Sequence, residues 1–394
     1  MAQVLIAGAG LAGLTTALAL RQRGHRVHAF EQASELREVG AGVQLGPNGT
    51  RVLIALGLAD AMHQVVCVAA GKQIRLGTTG QSWPVFDLGE TAVERFGAPY
   101  WMVHRGDFHR VLLDAVRQSC PDPIRAGQAC ICFTQHAGGV TLHLANGDTV
   151  TGDVLIGADG VHSRIRQQMF GQGRAEFTGL IAWRGLVPMQ SLPPHQRSLV
   201  GENWIGVGGH VVTYPLRRGE ILNFVGVVER DDWRVESWNV PGTTEECLHD
   251  LAGWHEDVKT IIRNIATPYK WALLGRQPLD SYVQGRVCLI GDAAHPTLPF
   301  LAQGANLALE DAVILARCLD HPDIPTALLR YQAARLHRTA AIVRGASENT
   351  KRFHNPALGS PDGAAAYVER EFQPEKMRQR YDWLYEYDAL SVPV

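Results

Sequence analysis

The chain opens on a short apolar run, a cluster of glycines and a longer apolar stretch at helical spacing. Residues 4–6 are a plausible strand buried on both faces of a parallel sheet. Residues 11–23 favour a helix, and Gly24 is a natural end for it because glycine adopts the left-handed conformation readily. Residues 27–30 form a second apolar run. The pattern predicts a strand, a helix and a parallel second strand.

A predicted strand followed by a glycine-containing turn occurs twice more along the chain, with a different pattern between these two occurrences. Residues 149–156 predict a strand that runs into GADGVHSRIR, and residues 285–290 predict one that ends in GDAAHP, before a helix from Gly304 to about Leu319. Between them, apolar and polar residues alternate, which is typical of antiparallel strands. The alternation is clearest in residues 181–187, 204–214 and 221–228, and one or two helices are predicted between Thr244 and Ile265.

The fold class that follows is α/β, a Rossmann-like domain with an inserted, mostly antiparallel β-sheet domain. A chain of 394 residues is long for one core and favours about two domains. We assign residues 1–66, 101–170 and 281–350 to the first domain and 67–100 and 171–280 to the second. Residues 351–394 are predicted to be a C-terminal helical segment, whose aromatic end packs on the body or on another subunit. A homodimer is therefore left open.

The glycines after the first strand point to a dinucleotide. Gly8, Gly10 and Gly13 have the G-x-G-x-x-G spacing, which serves a tight turn, close approach of a pyrophosphate and close packing of the helix. Free N–H groups near Leu11 and Ala12, with the helix dipole, attract the phosphates. Glu31 lies 18 residues beyond Gly13, where a carboxylate can accept hydrogen bonds from ribose hydroxyls.

Composition excludes several other classes. Net charge is −2, which gives no reason to expect nucleic acid or an anionic membrane as partner. No apolar run approaches the length of a membrane span, and the N-terminus lacks the basic segment of a signal peptide. Seven scattered cysteines without C-x-x-C spacing resemble reduced thiols, so we expect a cytoplasmic protein with no metal site.

Three motifs now stand in order along the chain: GAGLAG at 8–13, GADGVHSRIR at 157–166 and GDAAHP at 291–296. Together they resemble the single-component FAD-dependent aromatic hydroxylases, the group that includes salicylate hydroxylase and 3-hydroxybenzoate 6-hydroxylase. The likeness covers nearly the whole chain and is weakest after about residue 350. It implies a Rossmann-like FAD domain whose flavin is roofed by the inserted sheet.

The resemblance also assigns cofactor contacts. It implies that Glu31, with Gln32 beside it, binds the adenosine ribose and that Asp292 binds the ribityl chain. Arg105, which from the sequence alone is either a surface cation or a phosphate clamp, becomes an FAD contact. Asp159 belongs to a motif tied to both FAD and the nicotinamide cofactor.

Two further glycine-containing stretches are expected to approach the cofactor. Gly40, Gly42 and Gly46 make a loop that allows backbone close to a bound group, which brings Val43 near it as well. Gly304, Ala305 and Asn306 stand at a predicted helix start, where N–H groups stabilise negative charge on a reduced flavin. The chain holds one G-x-G-x-x-G, so NADH or NADPH is expected to bind transiently as a co-substrate.

The candidate substrate residues lie in the alternating region. In GGHVVTYPLR, period-two alternation places His210 and Tyr214 on one strand face. Such a pair lines the substrate ring in the hydroxybenzoate hydroxylases, and Tyr100 resembles an aromatic residue of that pocket. Arg184 either orients a substrate carboxylate or braces the domain. After GDAAHP the chain reads Thr-Leu-Pro-Phe. This sequence around Pro299 is closer to that of salicylate hydroxylase than to that of the 3-hydroxybenzoate 6-hydroxylases, which carry a glutamine after the leucine.

The expected activity is hydroxylation of a small phenolic acid, salicylate-like, with O2 and NADH or NADPH, through a flavin hydroperoxide. A phenol of pKa about 10 is only about one part in a thousand ionised at pH 7, so a base is needed. His210 is the candidate base, and Tyr214 orients the substrate or relays a proton. Hydroxynicotinate, another phenol or a quinolone are alternative substrates. A flavin-binding redox sensor without catalysis is the alternative of a different class.

Overall fold

The computed structural model describes residues 1–36, 41–119, 123–171, 173, 175–233 and 240–394, without the side chain of Phe86. Gly40 of the predicted loop and Cys120 lie outside these ranges. The helices are α1 (Leu11–Gln22), α2 (Pro47–Ala55), α3 (Ala59–His63), α4 (Glu90–Phe96), α5 (Arg105–Ser119), α6 (Arg164–Phe170), α7 (Thr244–Asp250), α8 (Glu256–Arg263), α9 (Gly304–Cys318), α10 (Ile324–Phe353), α11 (Pro361–Glu371) and α12 (Pro374–Tyr385).

The strands fall into four sheets. In chain order they are β1 (Gln3–Ala7), β2 (Arg26–Phe30), β3 (Gly42–Leu45), β4 (Val66–Val68), β5 (Gly71–Leu76), β6 (Ser82–Asp87), β7 (Trp101–His104), β8 (Ile124–Arg125), β9 (Cys130–His136), β10 (Gly139–Leu144), β11 (Thr149–Gly152), β12 (Val154–Gly157), β13 (Glu176–Pro188), β14 (Val200–Gly206), β15 (Gly209–Leu216), β16 (Ile221–Glu229), β17 (Val240–Pro241), β18 (Tyr269–Gly275), β19 (Val283–Gln284) and β20 (Val287–Leu289).

The central sheet has the order β19-β20-β12-β1-β2-β8 and is parallel except at the β19–β20 edge. Val4, Leu5 and Ile6 are fully buried, as expected for a strand with a neighbour on both sides and helices on its faces. Helix α1 packs against α9 and α5. The N-terminal strand, helix and strand were therefore correctly predicted, and they place the glycine turn at the carboxyl edge of this sheet.

The predicted strand over residues 149–156 is wrong as a single element. The chain divides at Asp153, because β11 pairs with the antiparallel strand β10 while β12 joins the central sheet beside β1. Asp153 makes this switch through two hydrogen bonds with Gln3: its N–H donates to the Gln3 carbonyl, and its carboxylate accepts from the Gln3 N–H at 2.6 Å. Periodicity could not show the division, because only Asp153 separates the two short strands and Val150, Val154 and Ile156 keep the same alternation across it.

A second sheet of eight strands has the order β17-β18-β13-β16-β15-β14-β5-β6 and is antiparallel except between β14 and β5. Its core contains the fully buried Trp183, Trp204 and Phe224, and α7 and α8 pack on it. Residues 204–214, which alternate throughout, form a hairpin that turns at Gly208, where φ is +71°. The domain boundaries predicted from the sequence stay a prediction.

Three helices complete the body near the site. The sequence predicts a helix over residues 325–345, and α10 continues this helix to Phe353, whereas α4 was not predicted. The aromatic C-terminal segment packs on the body through α12, where Leu384 and Tyr385 are buried. Tyr385 meets Tyr100 edge to face, with ring centroids 6.0 Å apart.

Candidate functional site

The glycine turn between β1 and α1 forms an open cradle. Gly8 has φ +103°, and a Cβ there would lie 2.4 Å from the Ala158 carbonyl oxygen. A Cβ on Gly13 would lie 2.0 Å from the Gly8 oxygen, so the helix packs too closely for any side chain. Gly10, in contrast, has no atom within 4 Å of its Cβ position. It caps α1 without a side-chain hydrogen bond, which leaves the first N–H groups of the helix for a ligand.

A cavity of about 780 Å³ lies beside this turn, and we call it the first cavity. Its walls include Gly8, Gly10, Glu31 and Gln32. The two carboxylate oxygens of Glu31 accept hydrogen bonds from the N–H groups of Ala9 and Ala33, each at 2.9 Å. The backbone thus fixes an acceptor at the end of β2, where a ribose diol could donate to it.

Asp159 lies on the wall of the first cavity, where it caps α6. Its carboxylate accepts from the Ser163 hydroxyl at 2.5 Å and from the N–H groups of Arg164 and Ile165 at 2.8 and 3.2 Å. Burial raises the pKa of Asp159, and these hydrogen bonds oppose the shift. The acid therefore holds the second glycine motif in shape, and its contact with a cofactor stays a prediction.

A second cavity of about 330 Å³ shares Gly10, Ala158 and Gly160 with the first, so the two are neighbours along one path. Most of the remaining predicted cofactor and substrate residues line this second cavity. They are Leu11, Ala12, Gly42, Val43, Arg105, Asp292, Gly304 and Ala305 among the predicted cofactor contacts and His210, Tyr214 and Pro299 among the predicted substrate contacts. A long ligand can thus run from Glu31 past the start of α1 to the start of α9.

Gly13 and Asn306 are the two predicted cofactor residues that line neither cavity, and Gly13 is instead packed against the Gly8 carbonyl. Asn306 links two segments of the site. Its side chain accepts from the Gly46 N–H at 2.9 Å and donates to the carbonyl oxygens of Gln44 and Ala302. These bonds fasten β3 and the turn after it to the start of α9. The backbone N–H of Asn306 remains in the first turn of that helix, and its predicted role toward a flavin stays untested.

His210 faces the second cavity from β15 in an apolar setting. Its ring packs edge to face on Phe300, with centroids 5.1 Å apart, and lies 5.2 Å from Phe353. The Nδ1 atom is 2.7 Å from Nε2 of His354. Burial lowers the pKa of His210 well below its ordinary value, which keeps the imidazole neutral and available as a base.

Tyr214 lies on the same face of β15 and touches the cofactor side of the cavity. A Cβ on Gly42 would lie 2.4 Å from its ring, so the loop before β3 and this tyrosine fit together only because residue 42 is glycine. Burial raises the pKa of Tyr214, and a hydrogen bond with Gln44 opposes the shift. The phenol therefore stays protonated and can donate or orient.

Lys72 on β5 also lines the second cavity, and the sequence analysis missed it. Its Nζ donates to the Tyr100 hydroxyl at 2.9 Å, and that hydroxyl donates to Gln44 Oε1 at 2.7 Å. Tyr100 is thus behind Lys72, outside the cavity wall. Burial lowers the pKa of Lys72 to about 7. The alternation of residues 71–76, GKQIRL, did not indicate whether Lys72 or Arg75 would face the second cavity.

Arg184 lies elsewhere, on β13. It lines a separate cavity of about 220 Å³ with Ala41, Asn223 and Tyr269, and its guanidinium is 5.4 Å from the Tyr269 ring centroid. The structure therefore does not bring Arg184 to the wall that carries His210. Its predicted part in binding a substrate carboxylate stays a prediction.

A buried charge network behind the GDAAHP turn was also missed. Asp311 on α9 accepts from the Gly291 N–H at 2.9 Å and contacts His295 Nε2 at 2.6 Å. Arg335 on α10 donates to its other oxygen at 2.7 Å and also pairs with Glu310. This network fixes the turn from which Asp292 reaches the second cavity. Two adjacent acids inside an apolar helix were the only signal in the sequence.

Over the described ranges, no cluster of three or more His, Cys, Asp or Glu side chains has a geometry for a metal ion. None of the helices described is both long and apolar enough to cross a membrane.

Comparisons with known proteins agree with this site. An FAD binding domain family matches residues 1–346. A 3-amino-4-hydroxybenzoate 2-monooxygenase of Streptomyces platensis is 36% identical over 393 residues, covering 99% of this chain and 97% of the relative. A 3-hydroxybenzoate 6-hydroxylase of Aquipseudomonas alcaligenes is 34% identical and covers 97% of both chains. A salicylate hydroxylase solved with its substrate has a TM-score of 0.82 at 29% identity, covering 100% of this chain and 98% of the other.

The cradle of glycines, the anchored Glu31 and the two neighbouring cavities fit an FAD molecule in extended form. The family match and the relatives point to the same cofactor and to hydroxylation of phenolic or related aromatic rings. The chain belongs to the FAD binding domain family and, within it, to the single-component FAD-dependent aromatic hydroxylases.

Proposed function

We propose that the protein uses NADH or NADPH and O2 to hydroxylate a phenolic aromatic acid of the salicylate type. The observation that carries this proposal is the lining of the second cavity. It combines Asp292 and Gly304, which are predicted to contact the cofactor, with the neutral imidazole of His210 and the amine of Lys72. FAD, when bound there, would pass two electrons from the nicotinamide to dioxygen, so that one oxygen atom of dioxygen enters the ring and the other becomes water.

The cofactor contacts of this chain follow from the turns already described. The start of α1 offers N–H groups to the pyrophosphate, and Glu31 accepts from the adenosine ribose. Asp292 is exposed at the cavity wall, where its carboxylate would accept from ribityl hydroxyls. The N–H groups of Gly304 and Ala305 begin α9 without a side-chain cap, so they stabilise negative charge on the flavin ring.

The substrate contacts separate the two functional groups of a phenolic acid. Lys72 presents an ammonium group to the cavity, and a carboxylate is the anion that such a group binds in a partly buried site. His210 accepts the phenolic proton through the ring nitrogen that His354 leaves available. Phe300 and the valines of the sheet exclude water from the ring between these groups.

The relatives suggest how the exact substrate should be sought. A 3-amino-4-hydroxybenzoate carries the same carboxylate and phenol as a salicylate, in different positions, so it is the second candidate. Hydroxynicotinate remains an alternative. The rival of another class, a flavin-binding sensor without catalysis, predicts nicotinamide oxidation that no aromatic ligand stimulates.

The deciding experiment measures NADH and NADPH oxidation of the FAD-loaded protein with a panel of hydroxybenzoates. We expect stimulation by one or a few of these acids, with formation of hydroxylated product. Pro299 as a substrate contact, a cytoplasmic location and a homodimer are parts of the same proposal and are tested separately, by variants, fractionation and light scattering. Tyr100, behind Lys72, and Arg184, in a separate cavity, stay predictions that variants test.

A further inference from the structure

Three hydrogen-bonded side chains lead from His210 to the surface of the protein. His210 Nδ1 lies 2.7 Å from Nε2 of His354, which follows the last residue of α10. The other nitrogen of His354, Nδ1, lies 2.7 Å from Oε1 of Glu229 at the end of β16. The Glu229 side chain is 55% exposed, whereas His354 is buried. The series therefore begins at the second cavity and ends in solvent.

The hydrogen positions follow from the acid at the outer end. A Glu229 carboxylate can only accept, so His354 Nδ1 carries a hydrogen and donates it. In a neutral His354 the Nε2 atom is then an acceptor, and the 2.7 Å contact requires that His210 Nδ1 donates to it. The Nε2 atom of His210 is consequently left with a lone pair, on the residue that lines the cavity.

We infer that His210, His354 and Glu229 form a proton path that carries the phenolic proton of the substrate from the second cavity to solvent. The inference rests on the proposed function. The substrate O–H bond breaks as an N–H bond forms at His210 Nε2. The Nδ1 hydrogen of His210 passes to His354 Nε2, and the Nδ1 hydrogen of His354 passes to Glu229, which releases it to water. The substrate becomes a phenolate, one proton leaves and no electron is transferred.

The surroundings explain why a path is needed. Phe300 and Phe353 enclose His210, and burial lowers the pKa of both histidines. Neither imidazole can therefore hold the proton of a phenol for long at neutral pH. Passing it outward avoids a buried positive charge.

The charged neighbours of the path are engaged elsewhere. Arg352, just before Phe353 on α10, donates to Asn349 at 2.6 Å and contacts Glu348 at 3.5 Å. Arg230, which follows Glu229, pairs with Asp232 and Asp250. In the part of the chain that the structure describes, Glu229 is thus the carboxylate that contacts His354.

Two substitutions interrupt the path in different ways. His354→Phe keeps a ring in place and removes both nitrogens. Glu229→Gln keeps an oxygen that can accept from His354 but is a far poorer proton acceptor. Glu348→Gln is the matched control, because Glu348 is an exposed acid on α10 that contacts Arg352 and not His354. Glu229→Asp is the conservative variant that should retain function.

The readouts separate proton transfer from structure. FAD content and the rate of flavin reduction by NADH should match the wild type in every variant. Product formed per NADH should fall about 10²-fold in His354→Phe at pH 7, the low end of what a positioned base contributes, and less in Glu229→Gln. The loss should shrink toward pH 10, where solvent ionises the phenol. At pH 6, where Lys72 is already mostly protonated, an indicator dye should show proton release when wild type binds a phenolic acid, and slower release in both variants.

Wild-type product yield in both His354→Phe and Glu229→Gln between pH 6 and pH 10 would overturn the path. If His354→Phe does not fold, Glu229→Gln decides, because it retains the contact. A wild-type protein that forms no product from any phenolic acid contradicts the proposed function instead. The proton release on binding would then still test the path by itself.

Discussion

Lys72 allows the proposed substrate class to be tested by charge. Its pKa of about 7 reflects burial, and a bound carboxylate should raise it again by pairing with the ammonium group. Replacing Lys72 by Met keeps an unbranched side chain and removes the charge. A hydrogen bond to a charged group contributes about 1.5–3 kcal/mol, so Lys72→Met should weaken binding of a phenolic acid about 10- to 150-fold.

The pH dependence has a definite sign. A carboxylate binds the protonated form of Lys72, which is about nine tenths of the molecules at pH 6 and about one tenth at pH 8 if the pKa is about 7. For benzoate, which has the carboxylate but no phenolic proton to release, the dissociation constant should therefore rise about tenfold between pH 6 and pH 8, and binding should take up a proton at the higher pH. Burial raises the pKa of Tyr100 and Tyr214 and lowers the pKa of His210, so all three side chains stay uncharged between pH 6 and pH 8.

The assay is a titration of the FAD-loaded protein with benzoate, followed by flavin absorbance at several pH values. A phenol without a carboxylate serves as the control ligand, since its binding should show neither the rise in the dissociation constant with pH nor the loss in Lys72→Met. Lys351→Met is the control variant, because Lys351 is exposed on α10 and outside the cavity. Equal affinity of Lys72→Met and wild type, with the same pH dependence, would refute the assignment of Lys72 to the carboxylate.

Four further predictions follow from the site. Asp292→Ala should weaken FAD about 10- to 150-fold by equilibrium dialysis, and unchanged affinity in folded protein would remove Asp292 from the site. Gly13→Ala places a Cβ 2.0 Å from a backbone oxygen and should purify without FAD, whereas Gly10→Ala should fold normally and lose FAD affinity only; equal FAD content in both would contradict the cradle. His210→Ala should slow hydroxylation about 10²- to 10⁴-fold with recovery at high pH, measured as product per NADH; full coupling would pass the role to Tyr214. Arg335→Met removes a buried partner that Glu310 and Asp311 share, although Glu310 keeps Arg338 and Asp311 keeps His295, and it should cost about 3–5 kcal/mol in chemical unfolding; a loss below about 1 kcal/mol would be the contrary result.

Local patterns in the sequence were enough for the parts of the fold that depend on neighbours in the chain. The turn from β1 to α1 was predicted because each of its glycines is required there for a different steric reason. The structure shows the close backbone contacts that exclude a side chain at Gly8 and Gly13. The alternation of β15 correctly placed His210 and Tyr214 on one face, toward the same cavity.

The rest depends on contacts between distant segments. Lys72 reaches the cavity because β5 pairs with β14, and no local pattern indicates that pairing. His354 meets His210 across 144 residues at the end of a helix whose predicted length was too short. From the sequence alone, Arg184 could either line the substrate cavity or brace the domain, because the register of β13 is not visible there. The structure places it in a cavity separate from the one that His210 lines. The strand division at Asp153 depends on Gln3, which is 150 residues earlier in the chain.

The central claim is that this chain couples nicotinamide oxidation to hydroxylation of a phenolic acid. The most direct measurement is the ratio of hydroxylated product to NADH or NADPH consumed by the purified FAD-loaded protein. The product is quantified by chromatography, and salicylate and 3-amino-4-hydroxybenzoate are the first substrates to test. We predict a ratio close to one for the true substrate and a marked stimulation of oxidation by it. Nicotinamide oxidation that no phenolic acid in the panel stimulates, with hydrogen peroxide as the product, would contradict the account.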